Sequence, residues 1–221
     1  MVALIITTMN EVDGLKWLWP RLNTNLVSTV LVVDNHSTDG TIKFLSDKPC
    51  KIITQSVSGR GNGIREAMSY VQDDAVILMS SDGNDNPTYI CPIIKKLAEG
   101  YDLVSGTRFA PGGSSDDSDD PLLIRRFGNR LFTNIVNLIF NADYTDATYG
   151  FRGVRKQAWV AMKINSRKNE TEYMISIRAA KLKMKMAEIP MAEGKRVGGE
   201  VKARTFATGL SFLRLLLSEL T

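Results

Sequence analysis

The sequence predicts an α/β protein: a three-layer α/β/α sandwich around a mainly parallel central sheet. Three observations carry this. Short apolar runs alternate with helix-like segments through the first 108 residues. The runs are nearly continuous in their apolar residues, as in strands covered on both faces. Polar turns rich in Gly, Asp and Asn follow their C-terminal ends, where an open parallel sheet places its ligands. Strand and helix in repeated alternation imply parallel pairing with right-handed crossovers.

Residues 2–7 read as the first strand and 11–22 as a helix that Pro20 shortens or bends. Residues 29–33 are a second strand, ending in a polar turn whose Ser37 or Thr38 can cap a helix containing Ile42, Phe44 and Leu45. Residues 51–54 form a third strand, and Gly59-Arg-Gly-Asn-Gly63 opens a helix through Tyr70. Residues 75–79 form a fourth strand that meets Asp82. Pro87 suits the first turn of a helix to Ala98, and 102–105 are a further strand. After Arg108 the loop 111–121, with four aspartates, is too polar to pack and is expected to be mobile and solvated. A helix over 122–140 turns Leu131, Phe132, Ile135, Val136, Ile139 and Phe140 to one face, read as core packing. A helix over 170–181, a strand over 186–189 and an amphipathic helix over 205–220 complete the chain.

Composition narrows the function classes. The 221 residues suit one domain with a full core. A net charge of +4 favours a phosphate-bearing partner or an anionic membrane surface, with nucleic acid the weaker option. Cys50 and Cys91 lack metal or CxxC spacing and read as reduced thiols of a cytosolic compartment; His36, the single histidine, cannot build a zinc site by itself. The N-terminal run reads as a strand and not as a secretory signal. No run reaches the ~18 apolar residues of a spanning helix, because Arg214 and Glu219 interrupt the nearest candidate.

Ser80-Ser-Asp82-Gly is a turn by composition and a site by position, since it delivers a carboxylate at a strand end. Gly59-x-Gly-x-Gly63 has the wrong spacing and follows the wrong strand for a dinucleotide fingerprint, and no Walker pattern is present. What remains there is a Gly-rich helix N-terminus with Arg60 and Arg65, able to meet phosphate through backbone N–H groups and guanidinium forks. Between Arg178 and Arg204 eight Lys or Arg stand against three Glu, a local +5 that is either a solvated basic face or an anion-binding one. The three tryptophans read as packing residues.

Taken together, the chain resembles the family-2 glycosyltransferases with the GT-A fold, most closely their dolichyl- or polyprenyl-phosphate sugar synthase branch. Eight pieces carry the likeness in order: Thr8-Met-Asn-Glu11, Val32-Val-Asp-Asn-His-Ser-Thr-Asp-Gly-Thr41, Gly59-Arg-Gly-Asn-Gly-Ile-Arg65, the Asp82 turn, Gly106-Thr-Arg-Phe109, Asp146-Ala-Thr-Tyr-Gly-Phe-Arg152, Glu188-Ile-Pro190 and Arg196-Val-Gly-Gly-Glu-Val-Lys202. The resemblance implies one GT-A domain, with 1–108 as the nucleotide-sugar half, 109–204 as the acceptor half and 205–221 as a C-terminal amphipathic helix. It implies that Glu11 and Asp34 border the nucleotide, that Thr8, Asn10, Ser81 and Arg108 contact substrate, and that Arg60 and Arg65 serve the phosphate side. Asp82 matches the last aspartate of the family's Asp-x-Asp motif and would hold Mg²⁺ or Mn²⁺ at the donor diphosphate. The first aspartate is replaced by Ser80, with Asp85 as a candidate helper, and Asn35 stands where many members carry a second aspartate.

On the acceptor side the resemblance places Asp146 near the reacting centre, and Arg152, Arg196 and Lys202 suit phosphate oxygens. The implied reaction moves a sugar from a nucleoside-diphosphate sugar to a polyprenyl phosphate with inversion, at the cytoplasmic membrane face, the chain being peripheral there. An ionised phosphate attacks without a base, whereas a saccharide hydroxyl needs one, for which Glu172 or Asp146 is the candidate. The remaining alternative is a nucleotide-sugar-binding protein without turnover, suggested by Ser80.

Overall fold

The computed structural model describes residues 1–118, 120, 122–198 and 205–220. One seven-stranded sheet runs in the order β3-β2-β1-β4-β6-β5-β7. Its strands are β1 (Val2–Thr8), β2 (Thr29–Asp34), β3 (Lys51–Thr54), β4 (Ala75–Ser80), β5 (Leu103–Thr107), β6 (Arg152–Arg155) and β7 (Met186–Pro190). All pairs are parallel except β4 with β6 and β5 with β6. The helices are α1 (Val12–Leu18), α2 (Thr41–Leu45), α3 (Arg60–Met68), α4 (Ile90–Ala98), α5 (Ile124–Phe140), α6 (Lys156–Met162), α7 (Thr171–Lys181) and α8 (Thr205–Glu219).

The continuous apolar strands are buried on both faces, as their composition requires. In β1, Ala3 and Ile5 join one core with residues of α3, α5, α6, α7 and α8, while Leu4 and Ile6 join the other with residues of α1, α2 and α4. Each fully buried Leu or Ile contributes roughly 1.5–3 kcal/mol relative to exposure, so β1 and β4 anchor the domain. Pro20 ends α1 early, in a short 3₁₀ turn at Trp19–Arg21.

Two elements lie outside the sequence expectation. β6 and α6 follow the Asp146 motif, and β6 inserts antiparallel between β4 and β5. Arg152-Gly-Val-Arg155 carries no apolar periodicity, so its strand character comes from its neighbours. Gly153 lets α4 cross closely: a Cβ there would lie 2.4 Å from Ile93 Cγ2.

The expectation of solvated aspartates in the 111–121 loop is corrected. Asp120 is buried and accepts the N–H groups of Ile124, Arg125 and Arg126 at the N-terminus of α5, at 3.1, 2.8 and 3.2 Å. Asp117 pairs with Arg126 at 2.8 Å. A carboxylate at a helix N-terminus satisfies donors that the helix itself leaves open.

Phe132, Tyr173 and Phe212 join α5, α7 and α8 through ring contacts at 4.7–5.6 Å. Glu219, near the end of α8, pairs with Arg178 at 2.7 Å and Lys181 at 3.1 Å. The apolar face of α5 is only partly core: Val136 is buried, but Leu131 and Ile139 are exposed, as are Phe127 (70%) and Leu138 (86%). On α8, Phe206 (82%), Leu210, Leu213 and Leu217 are exposed. No helix among the described residues is long and apolar enough to cross a membrane.

Candidate active site

A cleft of about 610 Å³ opens at the C-terminal ends of β1 and β4. Its floor comes from Thr7, Thr8 and Ser80–Asp82, its sides from residues 58–60, 148–150, 168, 169 and 172, and its far wall from α5 and α8. Parallel strands end together here, which is why segments distant in sequence meet.

At the end of β4 the chain turns sharply through Gly83, whose φ of +87° falls in the left-handed region. The turn carries Asp82, whose Oδ1 accepts the Asn84 N–H at 3.2 Å and whose Oδ2 meets Arg196 Nη2 at 2.8 Å. The same guanidinium reaches Glu11 Oε1 at 3.1 Å. Beside them the side-chain oxygens of Thr8, Ser81 and Asn84 are buried, line the cleft and find no hydrogen-bond partner among the described residues. Unpartnered buried oxygens next to a carboxylate are the hard donors a divalent cation or a sugar-nucleotide would satisfy. Asp82, Asn84 and Ser81 therefore fit Mg²⁺ or Mn²⁺. Among the described residues no cluster of three Asp, Glu, His or Cys stands ready as an all-side-chain metal cage.

Asp85, the candidate helper, is committed elsewhere. It is buried, accepting the Ser80 N–H at 2.9 Å and the Tyr149 hydroxyl at 2.9 Å. Burial, reinforced by the nearby Asp82 charge, pushes its pKa up to about 7. It staples the Asp82 turn to the 149–150 segment. Asn84 and Tyr149 were not singled out in the sequence, because turn composition and an aromatic in a motif look the same whether or not they face a cleft.

Arg60 lines the cleft floor, donating to Glu172 Oε1 at 2.6 Å, to Ser80 Oγ at 3.3 Å and to Thr7 Oγ1. Burial disfavours its charge, but Glu172, with Asp85 and Asp82, holds its pKa above the ordinary value. The expectation that the Gly-rich loop offers backbone N–H groups to phosphate is corrected. The N–H of Gly61 donates to Lys168 O at 3.1 Å and that of Asn62 to Arg167 O at 3.2 Å. These glycines permit close packing: a Cβ at Gly61 would lie 2.4 Å from Thr171 Oγ1 and 2.7 Å from Ser166 O. Arg65 is not among the cleft residues and donates to Asn62 Oδ1 at 2.7 Å.

Asp146 and Arg152, expected at the reacting centre, are both 0% exposed and neither lines the cleft. Asp146 sits beneath Arg108, accepting from Arg108 Nε at 2.7 Å and from the Thr148 N–H and hydroxyl at 3.1 and 2.9 Å. Burial would raise its pKa, but Arg108 and Thr148 hold it below the ordinary carboxylate value. Arg108 does line the cleft, flanked by Glu193 at 3.6 Å and by the Tyr149 ring, 4.8 Å from its centroid. Arg152 spends its donors internally, on Tyr149 O, Glu172 O at 2.9 Å and Ser176 Oγ at 3.2 Å, and burial lowers its pKa. It binds the 149–150 segment to α7.

The remaining expected residues divide similarly. Thr8, Glu11, Ser81, Asp82, Arg60, Arg108 and Arg196 meet in the cleft. Asp34 is buried beside it, with Oδ2 accepting from the Ser37 N–H at 3.0 Å and Oδ1 without a partner among the described residues. Asn10 ties the loops after β1 and β2 together, accepting the Thr38 N–H at 2.7 Å. Lys202 lies outside the described residues. Glu172, a base candidate, is the partner of Arg60.

The sequence matches Glycosyl transferase family 2 over residues 3–160. It is 28% identical over 202 residues to Glycosyltransferase AglJ of Haloferax volcanii, covering 90% of this chain and 64% of that protein. It is 25% identical to a dolichol-phosphate mannosyltransferase of Pyrococcus furiosus, covering 92% and 59%. It is 23% identical to an undecaprenyl-phosphate 4-deoxy-4-formamido-L-arabinose transferase of Klebsiella pneumoniae, covering 97% and 64%. The chain thus spans about three fifths of the length of these relatives. Among solved structures, glucosyl-3-phosphoglycerate synthase of Mycobacterium tuberculosis, in complex with Mn²⁺, uridine diphosphate and phosphoglyceric acid, superposes with a TM-score of 0.78 at 15% identity, covering 99% of this chain and 78% of that one. The expected GT-A architecture is the fold observed. With the family match extending from the first strand to α6, the chain belongs to glycosyl transferase family 2.

Proposed function

We propose that the protein transfers a sugar from a nucleoside-diphosphate sugar to a polyprenyl phosphate, dolichyl or undecaprenyl, with inversion and with Mg²⁺ or Mn²⁺ as cofactor. One observation carries the choice of acceptor: each carboxylate lining the cleft is already engaged, and the two that Arg196 holds, Glu11 and Asp82, stand on the donor side. Glu11 and Asp82 meet Arg196, Glu172 meets Arg60, Glu193 meets Arg108 and Ser115, and Asp85 holds Ser80 N and Tyr149. A saccharide hydroxyl needs a base to take its proton, whereas a lipid phosphate arrives ionised. Asp146, the other base candidate, is buried under Arg108. The relatives named for dolichol and undecaprenyl phosphates point the same way.

In this reading residues 1–108 supply the donor side, with Thr8, Glu11 and Asp34 at the nucleotide and Arg60 at the floor. Asp82, Asn84 and Ser81 would hold the cation, which neutralises charge on the leaving diphosphate. Residues 109–204 supply the acceptor side, where Arg125, together with Arg108 at the boundary of the two halves, offers a guanidinium group to phosphate oxygens. A phosphate oxygen attacks the anomeric carbon opposite the diphosphate, the carbon–oxygen bond to the diphosphate breaks, and the nucleoside diphosphate leaves with the electron pair. Asp146 holds Arg108 in place and Arg152 supports the 149–150 segment, so both act by positioning. The exposed apolar residues of α5 and α8, both bordering the cleft, together with the basic segment 178–204, support peripheral contact with the cytoplasmic membrane face.

The test is product analysis with donor panels, Mn²⁺ and either undecaprenyl or dolichyl phosphate or free saccharides. Sugar-linked lipid phosphate with inverted anomeric configuration is expected. Transfer only to saccharide hydroxyls overturns the acceptor assignment.

A further inference from the structure

Arg196 occupies the position from which a cation would neutralise Asp82. Its guanidinium spans Asp82 Oδ2 at 2.8 Å and Glu11 Oε1 at 3.1 Å, while its buried Nε has no partner among the described residues. The backbone around it is fastened to the turn that carries Asp82. Val197 N donates to Asp82 O at 3.0 Å and Gly194 N to Asn84 O at 2.8 Å. Val197 packs so closely on Gly83 that a Cβ there would lie 2.6 Å from its Cγ2, and Gly198 abuts Asp13 and Gly14.

We infer that Arg196 is an internal competitor for the divalent cation, so that metal and nucleotide enter together and displace it. The inference rests on reading Asp82 as the cation corner. A divalent ion on Asp82 would sit beside a guanidinium already using the same oxygen, and like charges at that separation repel. Two carboxylates balance either Arg196 or the ion comfortably, but not both. A diphosphate adds the missing negative charge: it gives the ion further oxygens and gives the guanidinium, with its unpartnered Nε, an anion to bind. Displacement also releases the 194–198 segment from the Asp82 turn. Metal and nucleotide binding are then coupled, each raising the affinity for the other.

The test measures Mn²⁺ binding to the full chain by electron paramagnetic resonance of the free ion, alone and with uridine or guanosine diphosphate. Wild type should bind Mn²⁺ weakly alone and more tightly with a nucleoside diphosphate. R196Q should bind Mn²⁺ alone about two- to fivefold more tightly, the range for losing a competing, partly exposed ion pair, and R196K, which keeps the charge, should stay close to wild type. Hydrogen exchange of the Gly194 and Val197 amides should speed up when Mn²⁺ and nucleotide bind wild type. Unchanged or weaker Mn²⁺ binding in R196Q, or unchanged exchange at both amides, overturns the inference. If D82N binds Mn²⁺ as wild type does, the cation corner itself is misplaced and the competitor falls with it.

Discussion

In the proposed reading, Asp82 is the single carboxylate at a corner where the family motif has two. Its partner position is Ser80, whose hydroxyl accepts from Arg60 at 3.3 Å, so a neutral group would face the proposed cation where an aspartate would add charge. Asp82→Asn should abolish the Mn²⁺-dependent thermal shift produced by donor nucleotides while leaving the unliganded midpoint nearly unchanged. The lost ion pair with Arg196 is partly exposed and costs at most ~1 kcal/mol. Arg152 shows the opposite balance. It is charged, wholly buried and bound to neutral oxygens, so Arg152→Ala leaves Tyr149 O without its side-chain donor and Glu172 O with only the Ser176 hydroxyl as one. Urea denaturation should show a loss of about 2–4 kcal/mol. Arg108 and Arg152 are equal in a sequence motif. Their roles separate because one emerges at the cleft and the other under it.

At the scale of elements, α3 is gripped at its start by the 166–168 segment. In an ordinary helix Gly→Ala stabilises by up to ~1 kcal/mol. Gly61→Ala should instead lower the melting temperature, because its Cβ would meet Ser166 O and Thr171 Oγ1, and overpacking of this kind costs ~1–3 kcal/mol. A rise in melting temperature would show that the contact gives way. The pair α5 and α8 is legible in the sequence as amphipathic helices. Which apolar residues stay outside is not, since periodicity marks a face without saying what covers it. Replacing Phe206, Leu210 and Leu217 by Ser should weaken sedimentation with anionic vesicles at least several-fold, following the apolar area lost, with little change in stability because these side chains are already exposed.

Across the molecule, buried carboxylates set the pH response in two directions. Asp85, and less strongly Glu188 and Glu193, are pushed up by burial, so the folded state holds their protons more tightly than the unfolded chain. For Asp85 that stabilisation is present below its unfolded pKa and is lost as pH rises through about 7. Asp146 is held down, and its contribution is lost on acidification. In metal-free buffer the unfolding midpoint of wild type should fall between pH 5 and 8, and Asp85→Asn should flatten that slope; an unchanged slope would place the titration elsewhere.

The sequence by itself determined the layered parallel sheet and the delivery of Asp82 at the end of β4. Continuous apolar runs can be satisfied only by burial on two faces, and parallel strands bring their C-terminal turns to one edge. It also determined the family, through motifs kept in order. Tertiary structure alone decided β6, an arginine-bearing strand recruited between β4 and β5, and the orientation of each charge. Arg60 finds Glu172 across 112 residues and Arg196 finds Glu11 across 185. A side chain's charge is written in the sequence, but its direction and partner are set by packing. For that reason Asp146, Arg152 and Arg65 moved away from the cleft while Asn84 and Tyr149 joined it.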